Sequence, residues 1–222
     1  MLNLSKINII LLILFSLLVL IVNYKTSFYG YAKESDPYTR PHVFKNIITP
    51  DEANYILSKA IPLFEESTIL SGINSSVRKS KTAWLYHDDP VVYNIYSRLS
   101  KQFNFEIPNT EPLQIVKYEP GGYYNEHHDS CCDDNDHCKD FYSNGGQRKL
   151  TILVYLNDDF EGGATYFPKL DLSIKAPKYG AVIFHPLDDN DELCHPLALH
   201  KGTEVTFGVK YICNIWVRQK KI

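Results

Sequence analysis

The stretch Tyr118-Glu119-Pro120-Gly121-Gly122-Tyr123-Tyr124-Asn125-Glu126-His127-His128-Asp129 concentrates the side chains best suited to chemistry. In an extended chain side chains alternate between faces, so His127 and Asp129 point one way and His128 the other. An imidazole and a carboxylate on one side, joined by a distant histidine, would make the facial triad of a non-haem iron site. Three protein ligands on one octahedral face leave three positions open, which suits a bidentate keto acid plus dioxygen. Alone, His-x-Asp is a common pair, and a solvated loop accounts for it better until a third ligand is found.

That third ligand must be a histidine well downstream, and His185, His195 and His200 are the candidates. His200 stands ten residues before Lys210, in a segment reading Leu199-His200-Lys201-Gly202 and then Gly208-Val209-Lys210-Tyr211. A lysine on the next strand could pair with the remote carboxylate of a metal-chelated dicarboxylate. The competing reading makes Lys210 a surface charge. Its neighbours Val209, Tyr211, Ile212, Ile215 and Trp216 are apolar, however, and a lysine in that setting needs an anionic partner.

These residues need a scaffold. Thr49-Pro50-Asp51-Glu52 reads as a helix start, with Thr as cap, Pro in the first turn and Glu three residues on. The helix should run to about Lys59–Ala60, and Pro62 argues for a break. Asp89-Pro90 opens a second helix in the same way, with Val91, Val92, Ile95, Leu99 and Phe103 on one face. After Pro112 the period changes. Residues 113–118, 150–156, 164–167, 172–174, 181–184 and 209–217 are short runs rich in Val, Ile, Leu and Tyr, separated by Gly, Pro, Asn and Asp. Strands at that spacing predict an all-β sandwich or barrel behind two helices.

With these elements in order, the C-terminal half resembles the prolyl 4-hydroxylase family of 2-oxoglutarate/Fe(II) dioxygenases. The matching pieces are Tyr118, His127-x-Asp129, Arg148-x-x-Thr151-x-Leu153-x-Tyr155-Leu156, Glu161-Gly162-Gly163-x-Thr165-x-Phe167-Pro168, Lys178-x-Gly180-Ala181, Leu199-His200, Lys210 and Trp216. Each is weak alone; together, in this order and spacing, they are specific. The resemblance implies a mainly β fold with flanking helices, its core a double-stranded β-helix (jelly roll) with the metal at the open end. It implies Fe(II) on His127, Asp129 and His200, and 2-oxoglutarate as cosubstrate with its far carboxylate on Lys210. Tyr118 would hydrogen-bond that carboxylate and Thr151 would support it. Tyr124 and Trp216 would stand at catalytic positions near the peptide. Dioxygen is the second cosubstrate and L-ascorbate the reductant. The partner would be a peptide or protein, proline-containing, hydroxylated with release of succinate and CO2. The Glu161-Gly162-Gly163 element reads as a tight turn rather than a contact site. Glu204 stands where the family usually has proline.

At 222 residues and 44% hydrophobic content, the chain can bury one good-sized core. A net charge of −3 carries no electrostatic footprint for nucleic acid, which excludes that class of partner. Residues 7–22 are apolar apart from Asn8 and Ser16 and are flanked by Lys6 and Lys25. At 1.5 Å per residue they span about 24 Å as a helix. The chain is therefore expected to carry a transmembrane signal anchor at 1–24, a stalk at 25–40 and one dioxygenase domain at 41–222, its catalytic core at 112–220. That makes a single-pass membrane protein with a luminal domain, of endoplasmic-reticulum type; secretion after signal cleavage is the alternative. Oligomeric state is not legible.

The Ser130–Gly146 segment holds Cys131, Cys132, His137 and Cys138, with Cys194 and Cys213 further on. An acidic solvated loop, suitably placed for a substrate lid, is its first reading. A disulfide from Cys131 or Cys132 to Cys138 or Cys194 comes next, and a zinc site last, since adjacent cysteines fit tetrahedral zinc badly. Two other functions compete with prolyl hydroxylation: hydroxylation of lysine or another substrate, and a non-catalytic membrane-tethered binding module. Turnover of 2-oxoglutarate without substrate separates the last from both enzymes.

Overall fold

The computed structural model describes residues 30–69 and 73–222. Both helices start as their sequences require. In α1 (Pro50–Ala60) the Thr49 hydroxyl accepts from the Glu52 amide at 3.1 Å, and the Glu52 carboxylate accepts from the Thr49 amide at 2.8 Å. The reciprocal box satisfies two amides that would otherwise lack partners. In α2 (Pro90–Phe103) Asp89 accepts from Val91 and Val92, and Asn104 closes the far end in the left-handed region. Arg98 ties the pair by donating to Glu52 and to the Ile47 carbonyl. A third helix, α3 (Asp136–Ser143), lies where a solvated loop was expected. Asn135 caps it through the Cys138 amide, and Cys138 is its buried residue.

The strands in chain order are β1 (His42–Phe44), β2 (Glu65–Glu66), β3 (Arg78–Lys79), β4 (Lys81–Leu85), β5 (Leu113–Tyr118), β6 (Tyr123–His127) and β7 (Arg148–Tyr155). After them come β8 (Phe160–Gly162), β9 (Thr165–Phe167), β10 (Leu172–Ile174), β11 (Ala181–Phe184), β12 (His200–Gly202), β13 (Val205–Gly208) and β14 (Lys210–Arg218). One antiparallel sheet runs β1-β11-β7-β14-β5-β4-β2 and a second runs β10-β9-β12-β6-β3, with β13 and β8 paired separately. This mainly β architecture with flanking helices is consistent with a jelly roll.

Alternation divides the large sheet cleanly. Ala83, Leu85, Leu113, Ile115, Ile152, Val154, Cys213, Ile215 and Val217 join the core that holds Ile56, Ile95, Tyr96 and Leu99 of the helices. Val116, Tyr118, Leu153, Tyr155, Phe184 and Ile212 face the other way, into a core shared with Phe160, Phe167 and Val205. The helices therefore cover one face of the large sheet, and the other is left to build a cavity.

Two disulfides brace this cavity. Cys131 pairs with Cys138 and Cys132 with Cys194, leaving Cys213 as a buried free thiol. The zinc reading of the cysteine segment is thereby excluded, since all three of its cysteines are bonded. Residues 30–40 lie against the segment before His200. Ala32 donates to the Cys194 carbonyl at 2.9 Å, and the Tyr38 ring stacks on His195 at 4.5 Å.

The membrane expectation is corrected here. Among the described residues no helix is long and apolar enough to cross a membrane. Helices α1 and α2 are 11 and 14 residues long, each with one buried face and one solvated face. A single-pass protein with a luminal domain, or its secreted variant, thus finds no span to support it. The apolar run 7–22 that suggested the transmembrane helix lies outside the described residues.

Candidate metal and cosubstrate site

Strand β6 ends at His127, and the next turn carries Asp129. Across the small sheet His127 pairs directly with His200 of β12, which places both imidazoles beside one carboxylate. The ligand atoms of His127, Asp129 and His200 lie within 4.8 Å of one another, an arrangement that could hold a metal ion. His127 Nε2 is 3.7 Å and His200 Nε2 3.9 Å from Asp129 Oδ1. Both histidines are oriented alike: Nδ1 of His127 bonds the Asn125 carbonyl at 2.7 Å, and Nδ1 of His200 bonds the Ala198 carbonyl at 3.0 Å. A carbonyl can only accept, so each Nδ1 carries the proton and each Nε2 offers a lone pair, the tautomer a metal needs.

The electrostatics agree. Burial, reinforced by the neighbouring His200, holds His127 well below the usual imidazole range. Burial also pushes Asp129 upward, but His200, His127, Arg148 and the Thr151 hydrogen bond outweigh it, and the carboxyl is lowered overall. A neutral imidazole beside an ionised carboxylate is a ligand set rather than an ion pair.

Asp129 is held from behind. The Thr151 hydroxyl donates to Oδ2 at 2.6 Å and the Trp216 indole N–H donates to the same oxygen at 3.0 Å. Thr151 and Trp216 face each other in the β7–β14 register, so one cross-strand pair supplies both donors. The guanidinium of Arg148 lies 3.5 Å over the Trp216 ring and donates to the Asp129 carbonyl at 3.2 Å. It is itself clamped by two 2.6 Å bonds to Glu111, which also accepts from Arg218 at 2.8 Å. These two arginines lower the Glu111 carboxyl in spite of its burial.

Lys210 closes the opposite end. It is 2% exposed, and Nζ donates to the Gly163 carbonyl at 2.7 Å, about 5 Å from the rings of Tyr118 and Tyr155. It makes no ion pair among the described residues. Burial, with some help from Lys175, lowers its pKa to about 7. The turn that receives it needs glycine: Gly163 has φ +62°, and a Cβ there would stand 3.0 Å from Lys210 Cδ. The Glu161-Gly162-Gly163 element is thus both a tight turn and a contact.

Tyr118, paired with Lys210 across β5 and β14, is buried, and burial raises its phenol in spite of the nearby Arg78. Tyr124 stacks on His127 at 3.6 Å. His128 points away, as its parity requires. Its ring meets Tyr31 edge-on at 5.3 Å, burial and the nearby His200 lower it to about 4, and its Nδ1 has no partner among the described residues. Of the other two candidate ligands, His195 is buried against Tyr38 and caps Leu197, and neither it nor His185 joins the cluster.

Seven of the eight expected site residues line one cavity of about 730 Å³, and the eighth, Thr151, reaches it through Asp129. Sequence reasoning missed Arg78, a buried cation 4.7 Å from the Tyr124 ring with no ion pair among the described residues. It missed Glu111 and Arg218 as well. Nothing local marks these residues, since their partners come from distant strands.

The family model of the 2OG-Fe(II) oxygenase superfamily matches residues 113–218. A protein of Acanthamoeba polyphaga mimivirus, provisionally named a prolyl 4-hydroxylase, is 44% identical over 200 residues, 90% of this chain and 82% of its own length. Prolyl 4-hydroxylase 1 of Arabidopsis thaliana is 32% identical over 199 residues, 80% of this chain and 68% of that one. Among solved structures, the viral collagen prolyl hydroxylase of Paramecium Bursaria Chlorella virus-1 in its 2OG complex aligns with a TM-score of 0.64 at 25% identity, covering 81% of this chain and 96% of that one. The ligand set, the buried lysine and these likenesses converge, and the chain belongs to the prolyl 4-hydroxylase family of 2-oxoglutarate- and Fe(II)-dependent oxygenases.

Proposed function

We propose that this protein hydroxylates proline within a peptide, consuming 2-oxoglutarate and O2 and releasing succinate and CO2. The observation that carries the reading is Lys210, a buried lysine with no carboxylate partner among the described residues, in the same cavity as two histidines and an aspartate.

The residues fit Fe(II): two imidazoles that turn Nε2 toward Asp129, together with its carboxylate, form the 2-His-1-carboxylate donor set. His127, Asp129 and His200 would hold it, and the bound ion would supply the O2-activating chemistry. The chain's own side chains do the rest. Thr151 and Trp216 keep Oδ2 of Asp129 occupied, leaving Oδ1 to the metal. Lys210 takes the far carboxylate of 2-oxoglutarate, and the Tyr118 phenol stands beside it as a second donor. Leu153 and Ile212 line the cavity between these ends and limit its water. Tyr124, stacked on His127, forms the wall next to which the peptide would lie.

The test is incubation with a library of proline-containing peptides, Fe(II), 2-oxoglutarate and ascorbate. Mass spectrometry should find one added oxygen on proline, matched by succinate. Hydroxylation confined to lysine would sink the substrate assignment, and absence of 2-oxoglutarate turnover would sink the enzyme.

A further inference from the structure

The ladder between β6 and β12 ends on the metal ligands. His127 closes β6, His200 opens β12, and the two are partners in register. Beyond that pair both chains leave the sheet. One runs on through Asp129 to Cys132, and the other arrives from Cys194 by way of a short 3-10 turn, Pro196–Ala198. The ends of a ladder open more readily than its middle, since pairing holds them from one side only. Here the end residues are ligands. The two chains meet again at the Cys132–Cys194 disulfide, three residues after Asp129 and six before His200.

The two halves of this bridge are held differently. Cys194 pairs with Tyr31 on one side and with Leu187 on the other. Its carbonyl accepts from Ala32 at 2.9 Å, and its amide donates to the Gly30 carbonyl at 3.1 Å. The next residue, His195, donates its amide to the Pro186 carbonyl at 3.0 Å and stacks on Tyr38. Cys194 therefore stands on a fixed platform. The Cys132 half faces the cavity: Cys131, Cys132 and Cys138 all line it, whereas Cys194 is 1% exposed and lies behind them. A small thiol can thus reach the bridge from the side where the metal and the cosubstrate enter.

We propose that the Cys132–Cys194 disulfide is the clasp of the metal site, so that metal affinity follows its redox state. This rests on the ligand set of the proposed function. With the bridge closed, the segment that carries Asp129 is tied to the platform that leads into His200, and the open end of the ladder is fixed from both sides. A dithiol opens it in two steps. One thiolate of the reagent attacks Cys132 Sγ, the S–S bond breaks, and Cys194 leaves as a thiolate and takes a proton. The second thiol of the reagent then displaces Cys132 and closes the reagent's own disulfide. The protein gains two electrons and two protons, and the dithiol is oxidised. Once open, the Asp129 segment keeps its hydrogen bonds to β7 and β14 but loses its link to the His200 segment, and the three ligands are no longer held as one set.

Equilibrium dialysis of the full chain against Mn(II) tests this, comparing oxidised protein with protein reduced by a dithiol that is removed before metal is added. Alkylation and mass spectrometry should first show Cys132 and Cys194 joining Cys213 as free thiols. The Mn(II) dissociation constant should then rise by about tenfold or more, the range for lost ligand support, and return on reoxidation. Cys132→Ser with Cys194→Ser should bind weakly whatever the redox state, and Cys131→Ser with Cys138→Ser should keep the full response. Melting curves taken alongside separate a loosened site from a lost fold. Unchanged Mn(II) affinity after reduction overturns the proposal, as does a bridge that the dithiol does not open in the folded chain. Reduction that unfolds the chain at the dialysis temperature overturns it too, because the bridge then serves the fold alone. Each of these results leaves the ligand set standing, whereas an oxidised chain that binds no Mn(II) removes the ligand set and this inference with it.

Discussion

The ammonium of Lys210 ends on the carbonyl oxygen of Gly163, 2.7 Å away, with no carboxylate facing it among the described residues. A backbone dipole and two tyrosine rings only partly replace lost hydration, and the pKa is lowered to about 7. The fold holds a cation at a site that stays under-compensated until an anion arrives.

The first prediction follows from that imbalance. An unfolded lysine keeps its proton to about pH 10.4, whereas native Lys210 loses it near 7. Between these values the unfolded state binds more protons, so ligand-free stability should rise with pH across that window, and the penalty is full below 7. Binding of 2-oxoglutarate needs the charged form. Its affinity should weaken above about pH 7, approaching tenfold per pH unit, and Lys210→Arg should flatten the slope. Lys210→Ala should weaken binding by roughly 30-fold or more with little change in metal affinity. Separate titrations of the cosubstrate and the metal decide this; an unchanged cosubstrate affinity in Lys210→Ala contradicts it.

Metal binding should discriminate between the histidines. His127→Ala, Asp129→Ala and His200→Ala should each abolish tight Fe(II) or Mn(II) binding in equilibrium dialysis, and turnover with it. His195→Ala should keep the metal and lower the melting temperature instead, because its ring is packed against Tyr38. Loss of metal on changing His195 alone would contradict the ligand set.

Thr151→Val and Trp216→Phe each delete one donor to Asp129 Oδ2 while preserving shape. Supporting partners of this kind are worth about 10- to 100-fold in metal affinity. Because the two donors share one oxygen, the double variant should lose less than the product of the single losses. Full additivity in metal titrations would show that they act independently.

The disulfides should differ in weight. Cys132–Cys194 spans 62 residues and Cys131–Cys138 spans 7. Loop-closure entropy predicts about 4 kcal/mol for the first and about 2 kcal/mol for the second. Paired serine substitutions, Cys132→Ser with Cys194→Ser against Cys131→Ser with Cys138→Ser, should show that order in thermal or denaturant unfolding.

Much of this was legible because local rules and tertiary demands coincide. The Thr49 and Asp89 caps set both helix starts, and β5, β10 and β11 fall on the apolar runs that suggested them. Parity alone separated His127 and Asp129 from His128. What escaped depends on partners remote in sequence. Helix α3 hides in an acidic run, anchored by a disulfide through Cys138. Thr151 and Trp216, read from the resemblance as beside the cosubstrate and the peptide, both bond Asp129, a relation visible only in the β7–β14 register. Arg78 carries no local signal: a charged residue in a two-residue strand reads as surface until the cavity around it is seen.

Strand β14 sends Lys210, Ile212, Asn214 and Trp216 into the cavity and Cys213, Ile215 and Val217 into the helix-covered core. It works as a reading frame. A substitution at any one position edits a single function, whether cosubstrate charge, cavity wall or support of the metal ligand. Insertion or deletion of one residue would send every later side chain to the opposite face. Variation along this strand can thus proceed by replacement but not by change of length, and the active site and the core must drift together.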